Sequence, residues 1–147
     1  YTFEPDPINF YCLVNNVHSD NVIKIQACLG NKREQVNVIQ LVREDRPVDV
    51  GGVHVQGKGS IPTIIIDDLN LSSCGLIQLD IEGYELHALL GAKETIIKHK
   101  PVLCIEFCEK WLNRYNADSK QLYDFLTELN YKEVDSYGVD KIFKHKS

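Results

Sequence analysis

The stretch from Leu76 to Phe107 constrains the fold more than any other part of the chain. An apolar run, Leu76-Ile77-Gln78-Leu79, ends on Asp80, and Glu82-Gly83 makes a sharp turn. A helical segment from about Tyr84 to His99 follows, with Leu86, Leu89, Leu90 and Ile97 at helical spacing. Pro101 stops it, and Val102 to Phe107 is a continuous apolar run of the kind buried on both faces of a sheet. Strand, helix and strand in this order form the unit of a parallel sheet covered by helices.

The rest of the chain extends the same alternation. Tyr1-Thr2-Phe3-Glu4 reads as the end of a strand stopped by Pro5-Asp6-Pro7, and Pro7 opens a helix. Asp6 is placed as its N-cap, and Phe10, Leu13 and Val14 lie on one face. Val22 to Leu29 is predicted as a strand closed by Gly30-Asn31, and Val36 to Val42 as a further apolar run. Residues 43–60 differ in character, with the charged turn Arg43-Glu44-Asp45-Arg46-Pro47 and four glycines around Val53-His54-Val55. They read as a surface loop or hairpin, since no glycine pattern there suits a phosphate-gripping turn. Thr63 to Ile66 is expected as a strand. A helix is expected from about Ser119, as N-cap, to Leu129 with Leu122, Phe125, Leu126 and Leu129 inward. Two last strands, Tyr131 to Asp135 and Lys141 to Lys144, turn at Tyr137-Gly138. The expectation is one α/β domain over residues 1–147: a mostly parallel sheet, helices on both faces, and an antiparallel C-terminal edge hairpin.

Composition narrows the partners. A formal net charge of -5 with no basic cluster argues against a nucleic-acid backbone. A small neutral or polar substrate fits better. No stretch is long and apolar enough to span a bilayer, and none has the pattern of a secretory leader. The five cysteines, Cys12, Cys28, Cys74, Cys104 and Cys108, are odd in number and form no C-x-x-C pair. They read as reduced core thiols of a cytoplasmic protein, with neither a disulfide framework nor the spacing of a metal site.

In such sheets ligands bind beyond the C-terminal ends of the strands, so the polar residues there are the candidates. Glu4 ends the first strand, and a carboxylate, offering only acceptors, suits the two hydroxyls of a ribose. Glu82 and Glu85 are accounted for as acids in a first helical turn. Asp80 is not, because a carboxylate ending a buried strand needs a partner, and Glu106, between Ile105 and Phe107, raises the same question. His54 and His87 are further candidate bases near neutral pH.

These residues resemble a known family. The run LIQLDIEGYELHALLGAKETIIKHKPVLCIEF is similar to the characteristic stretch of FkbM-type methyltransferases, with Asp80, Ile81, Glu82, Gly83, Leu90-Gly91-Ala92, Pro101 and Glu106 at its marked positions. YTFEPDPINFYCLVNNV resembles the family's Glu-Pro strand end and helix, IKIQACLGNK its next strand, and TIIIDDL the segment before the Asp-x-Glu-Gly strand. The resemblance implies a Rossmann-like methyltransferase fold and an O-methyltransferase using S-adenosylmethionine. Its acceptor would be a hydroxyl on a sugar, glycan or secondary metabolite. Carried over by position, Glu4, beside Pro5, holds the ribose hydroxyls, and Ala27 and its neighbour Cys28 line the adenine. Asp80 faces the methionine end and the substrate. Asp80, Glu82 and Glu106 are the candidates for the base or for orienting the acceptor. A metal requirement and a homo-oligomeric state stay open.

The sequence departs from the family at its start. The strand and glycine-rich turn that the family carries ahead of the Glu-Pro strand are missing, and the chain has no methionine and opens at Tyr1 inside a strand pattern. A chain that starts downstream of the start of translation is therefore expected, with S-adenosylmethionine binding weak or absent in these residues alone. The slot between the strands of Phe3 and Leu79 is expected to hold a segment outside this sequence, a partner chain or a shifted strand of its own. Two rival functions remain: a cofactor-free remnant serving as a binding or assembly module, and an NAD-dependent oxidoreductase, in which the Asp-x-Glu-Gly strand has no role.

Overall fold

The computed structural model describes residues 1–40 and 52–146. The charged turn at Arg43 to Pro47 and Gly51 lie outside the described residues. β1 (Thr2–Phe3) leads into α1 (Pro7–Asn16), which begins as the sequence predicts. Asp6 Oδ1 accepts hydrogen bonds from the backbone N–H groups of Ile8 and Asn9, each at 2.9 Å, and Pro7 sits where no N–H is needed. No residue of α1 is buried, so the stripe of Phe10, Leu13 and Val14 is not a core face.

The strand expected over residues 22–29 is two strands, β2 (Lys24–Ile25) and β3 (Cys28–Leu29). A bond from the Ala27 N–H to the Ile25 carbonyl (3.1 Å) turns the chain between them. β2 then pairs with β1, while β3 leaves for a different sheet. β4 (Gln35–Gln40) and β5 (Val53–Ile64) form the arms of an antiparallel hairpin. The strand expected from Thr63 to Ile66 is the tail of this longer β5, and a 3-10 turn begins at Ile66.

β6 (Leu76–Leu79), α2 (Glu85–Leu90), α3 (Lys93–His99) and β7 (Val102–Glu106) form the expected strand–helix–strand unit. Its helix is broken, however, at Gly91-Ala92. A β-carbon on Gly91 would lie 2.0 Å from the Gly30 carbonyl oxygen, so the chain can pass there only as glycine. Asp67 restarts the helix, its carboxylate accepting from the Glu94 and Thr95 N–H groups at 3.1 and 2.8 Å. α4 (Glu109–Leu112) and a 3-10 turn (Asn113–Tyr115) come next, and neither is apparent in the sequence pattern. α5 (Ser119–Glu128) is capped by Asp118 rather than Ser119, with Gln121 closing a capping box. β8 (Tyr131–Tyr137) and β9 (Asp140–His145) are the expected terminal hairpin.

The architecture is mixed α/β, with one correction. The strands of Phe3, Ile25, Ile65, Leu79 and Ile105 do not form a single sheet. Among the described residues there are three: β1-β2, β3-β5-β4 and β6-β7-β9-β8. The parallel pairs are β1 with β2, β3 with β5, and β6 with β7; the remainder is antiparallel. β7 is also not buried on both faces. Burial alternates along β6 and β7, and Ile77, Leu79, Leu103 and Ile105 join Leu89, Ile96, Leu122, Leu126 and Phe143 in one core cluster. Thus α2, α3 and α5 cover the same face, while Leu76, on the opposite side, is 59% exposed. β1 and β6 both line a cleft between their sheets, and no described strand stands between them.

Candidate active site

The cleft has a volume of about 860 Å³ and opens where several strands end. Glu4 reaches it from the end of β1, Ala27 and Cys28 from the start of β3, Asp80 and Glu82 from the turn after β6, and Glu106 from the last position of β7. Pro5 lines it as well. Glu4, Asp80 and Glu106 thus line one concavity, although β1 and the β6–β7 pair belong to different sheets rather than to one sheet edge.

Each side chain is held differently. The Glu4 carboxylate accepts from the Asp6 N–H at 2.8 Å, and burial raises its proton affinity. Ala27 is fully buried and Cys28 nearly so, the Cys28 sulfur lying 3.1 Å from the Thr63 hydroxyl. Burial pushes the Cys28 thiol up, so it stands as a neutral wall group.

The turn after β6 is tightly made. Glu82 adopts a left-handed φ of 58° and Gly83 one of 102°. A β-carbon on Gly83 would fall 2.2 Å from the Trp111 carbonyl oxygen, so the turn is wedged under α4. Holding Glu82 left-handed costs on the order of 1 kcal/mol, the kind of strain that gathers at functional turns. Glu85, which the helix dipole accounted for in the sequence, does more: its Oε1 accepts from the Ile81 and Gly83 N–H groups at 3.0 and 3.3 Å while the residue is 1% exposed.

Asp80 and Glu106 are neighbours because β6 and β7 run parallel with Leu79 opposite Ile105. Asp140 stands opposite Glu106 on β9. Burial, then the charges of Asp80, Glu85, Glu82 and Asp140, push the Glu106 carboxyl up to about 7. Asp80 is raised too, by burial and then Asp140. Glu106 is therefore poised to hold or release a proton near neutrality. Asp140 has no marker in the sequence; only the β7–β9 register brings it here.

The two histidines part company. His87 stacks on Tyr84 with ring centroids 4.3 Å apart, and burial, then Lys32, lower its proton affinity. It does not line the cleft. His54 does, on the hairpin arm opposite the strand ends. Tyr84 also lines the cleft, from the turn that opens α2, and no periodic pattern in the sequence places it there. Among the described residues no group of three His, Cys, Asp or Glu side chains is arranged to hold a metal.

A sequence model described as the methyltransferase FkbM domain matches residues 1–133. The chain belongs to the FkbM methyltransferase family. Among solved structures, the chain is similar to the methyltransferase FkbM from Methylobacillus flagellatus KT, with 19% identity and a TM-score of 0.55. The match covers 97% of this chain and 35% of that one, so the chain spans about a third of the FkbM protein it resembles. At this identity the likeness speaks for the fold. No curated protein matches the chain.

Proposed function

We propose that residues 1–147 form one catalytic domain of an S-adenosylmethionine-dependent O-methyltransferase whose acceptor is a hydroxyl on a sugar, glycan or secondary metabolite. The observation that carries this reading is the convergence of Glu4, Asp80 and Glu106 from separate strand ends on one cleft. The donor set fits the cofactor. Glu4 offers acceptors to a vicinal diol, and the small, buried Ala27 and neutral Cys28 give a flat wall for an adenine. The carboxylates of Asp80, Glu82 and Glu106 favour a ligand that carries positive charge, as the sulfonium and ammonium groups of S-adenosylmethionine do.

When bound, S-adenosylmethionine supplies an electrophilic methyl group for direct displacement. The protein's work is then positional and electrostatic. Glu4 fixes the ribose end, and Asp80 fixes the ammonium end. Glu106, half-protonated near neutral pH, orients the acceptor hydroxyl from the floor of the cleft. Calorimetry with S-adenosylhomocysteine on the full-length protein, since residues 1–147 alone are expected to bind weakly or not at all, tests the assignment. Glu4→Ala should weaken binding by about tenfold or more, because a charge-assisted hydrogen-bonding pair is lost, while Lys132→Ala on the exposed hairpin should not. Equal affinities for wild type and Glu4→Ala would remove Glu4 from the site, and no binding by wild type would defeat the cofactor assignment.

A further inference from the structure

A second cleft of about 600 Å³ lies beside the first, and the two share His54, Val55 and Tyr84. Tyr84 and Tyr115 meet edge to face in its wall, with ring centroids 4.8 Å apart. Gln56, Lys58 and Arg114 supply hydrogen-bonding groups around them. An aromatic wall with a few polar groups suits a ring that has apolar C–H faces and polar hydroxyls. The segment carrying His54 is fixed in place: the Tyr115 hydroxyl accepts from the Val55 N–H at 3.2 Å and donates to the Val55 carbonyl at 2.8 Å. Nδ1 of His54 is buried and has no hydrogen-bond partner among the described residues. Nδ1 is thus closed to a ligand, and the ring meets the clefts through its other nitrogen, Nε2.

We propose that the two clefts are halves of one reaction site, the first for the methyl donor and the second for a pyranoside acceptor, and that His54 at their junction takes the acceptor's hydroxyl proton. The inference rests on the methyltransferase reading above. In the step, the O–H proton passes to the His54 imidazole and the oxygen forms the new O–CH3 bond. The electron pair of the broken C–S bond stays on the sulfur, and the proton leaves later to solvent. Burial, then the Arg114 charge, lower the proton affinity of His54, so it stays neutral and able to accept down to mildly acid pH. The other titratable groups of the second cleft are Glu34, Lys58, Tyr84 and Tyr115. Glu4, Asp80, Glu82 and Glu106 are the titratable carboxylates that line the first cleft with His54.

The test uses the whole protein, labelled at histidine, with methyl α-D-glucopyranoside as probe. By NMR, His54 should titrate below the ordinary histidine value of 6.5. Adding the glycoside should move its ring resonances and leave those of His99, which is tied to the Leu71 carbonyl on another edge, in place. His54→Gln should lower methyl transfer from labelled S-adenosylmethionine to the glycoside by about 100-fold, with affinity for S-adenosylhomocysteine unchanged. A His54 resonance unmoved by the glycoside, or a His54→Gln enzyme within twofold of wild type, overturns the proposal. The response of wild-type His54 to the glycoside needs no variant and decides the matter even if His54→Gln fails to fold. Failure of wild type to bind S-adenosylhomocysteine strikes the methyltransferase reading instead.

Discussion

Glu106 is one residue of a five-residue strand, yet burial and then four other carboxylates set its chemistry. Its carboxyl is raised from 4.5 to about 7, so the folded state binds its proton more tightly than the unfolded chain does. The stability this contributes is complete below pH 4.5 and is lost as pH rises through about 7. Glu106→Gln removes the titration. It should therefore be more stable than wild type at pH 8 and no more stable at pH 4. A fully buried group with this shift would carry about 3 kcal/mol, but the side chain is only partly buried and solvent screening reduces the gain to about 1 kcal/mol. Thermal melts at the two pH values check the sign, and equal melting at pH 8 would show that neither burial nor the neighbouring carboxylates raise the Glu106 carboxyl. Gly83 makes a second prediction at this scale. Alanine there meets both a φ of 102° and a carbonyl oxygen 2.2 Å away, so Gly83→Ala should cost about 3 kcal/mol or more in urea unfolding. A loss under 1 kcal/mol would mean that the turn after β6 shifts freely.

At the scale of elements, the caps decide which short helices are self-supporting. α5 has a full capping box: Asp118 accepts from the Gln121 N–H at 2.7 Å, and the Gln121 side chain accepts from the Asp118 N–H at 3.0 Å. Asp118→Ala should cost about 1 kcal/mol, read by chemical denaturation, and an unchanged midpoint would show that packing of Leu122, Phe125 and Leu126 alone holds the helix. The sequence pointed to a capped helix here, but placed the cap one residue late at Ser119, since both residues are good N-caps and only backbone geometry separates them. α3 is different. Its cap, Asp67, comes from a turn 26 positions before Lys93, and no local pattern announces it.

For the molecule as a whole, the open side of β6 is the feature with most consequence. Among the described residues β6 pairs with β7 only, and one of its side chains, Leu76, is 59% exposed. β7 lies between β6 and β9. Amide hydrogen exchange should accordingly be faster at Leu76 and Gln78 than at Cys104 and Ile105, because an edge strand opens without breaking a second ladder. Equal protection in both strands would mean that something covers the outer edge of β6 in solution.

Periodicity alone determined the local units: the capped start of α1, the strand–turn–helix–strand run from Leu76 to Glu106, the inward face of α5 and the terminal hairpin. These depend on residues close in the chain, where spacing and turn chemistry dominate. The positions of Glu4, Asp80 and Glu106 at strand ends were legible for the same reason. Tertiary structure decided the rest. The strands fall into three sheets because β1 and β6 flank a cleft, and β7, apolar up to Glu106, buries only alternate residues because the buried helices gather on one face. Asp140 reaches Glu106 through antiparallel register, and His54 reaches the junction of two clefts through a hairpin pinned by Tyr115. Those contacts join residues tens of positions apart, and no periodic pattern in a single sequence encodes which distant partner a side chain will meet.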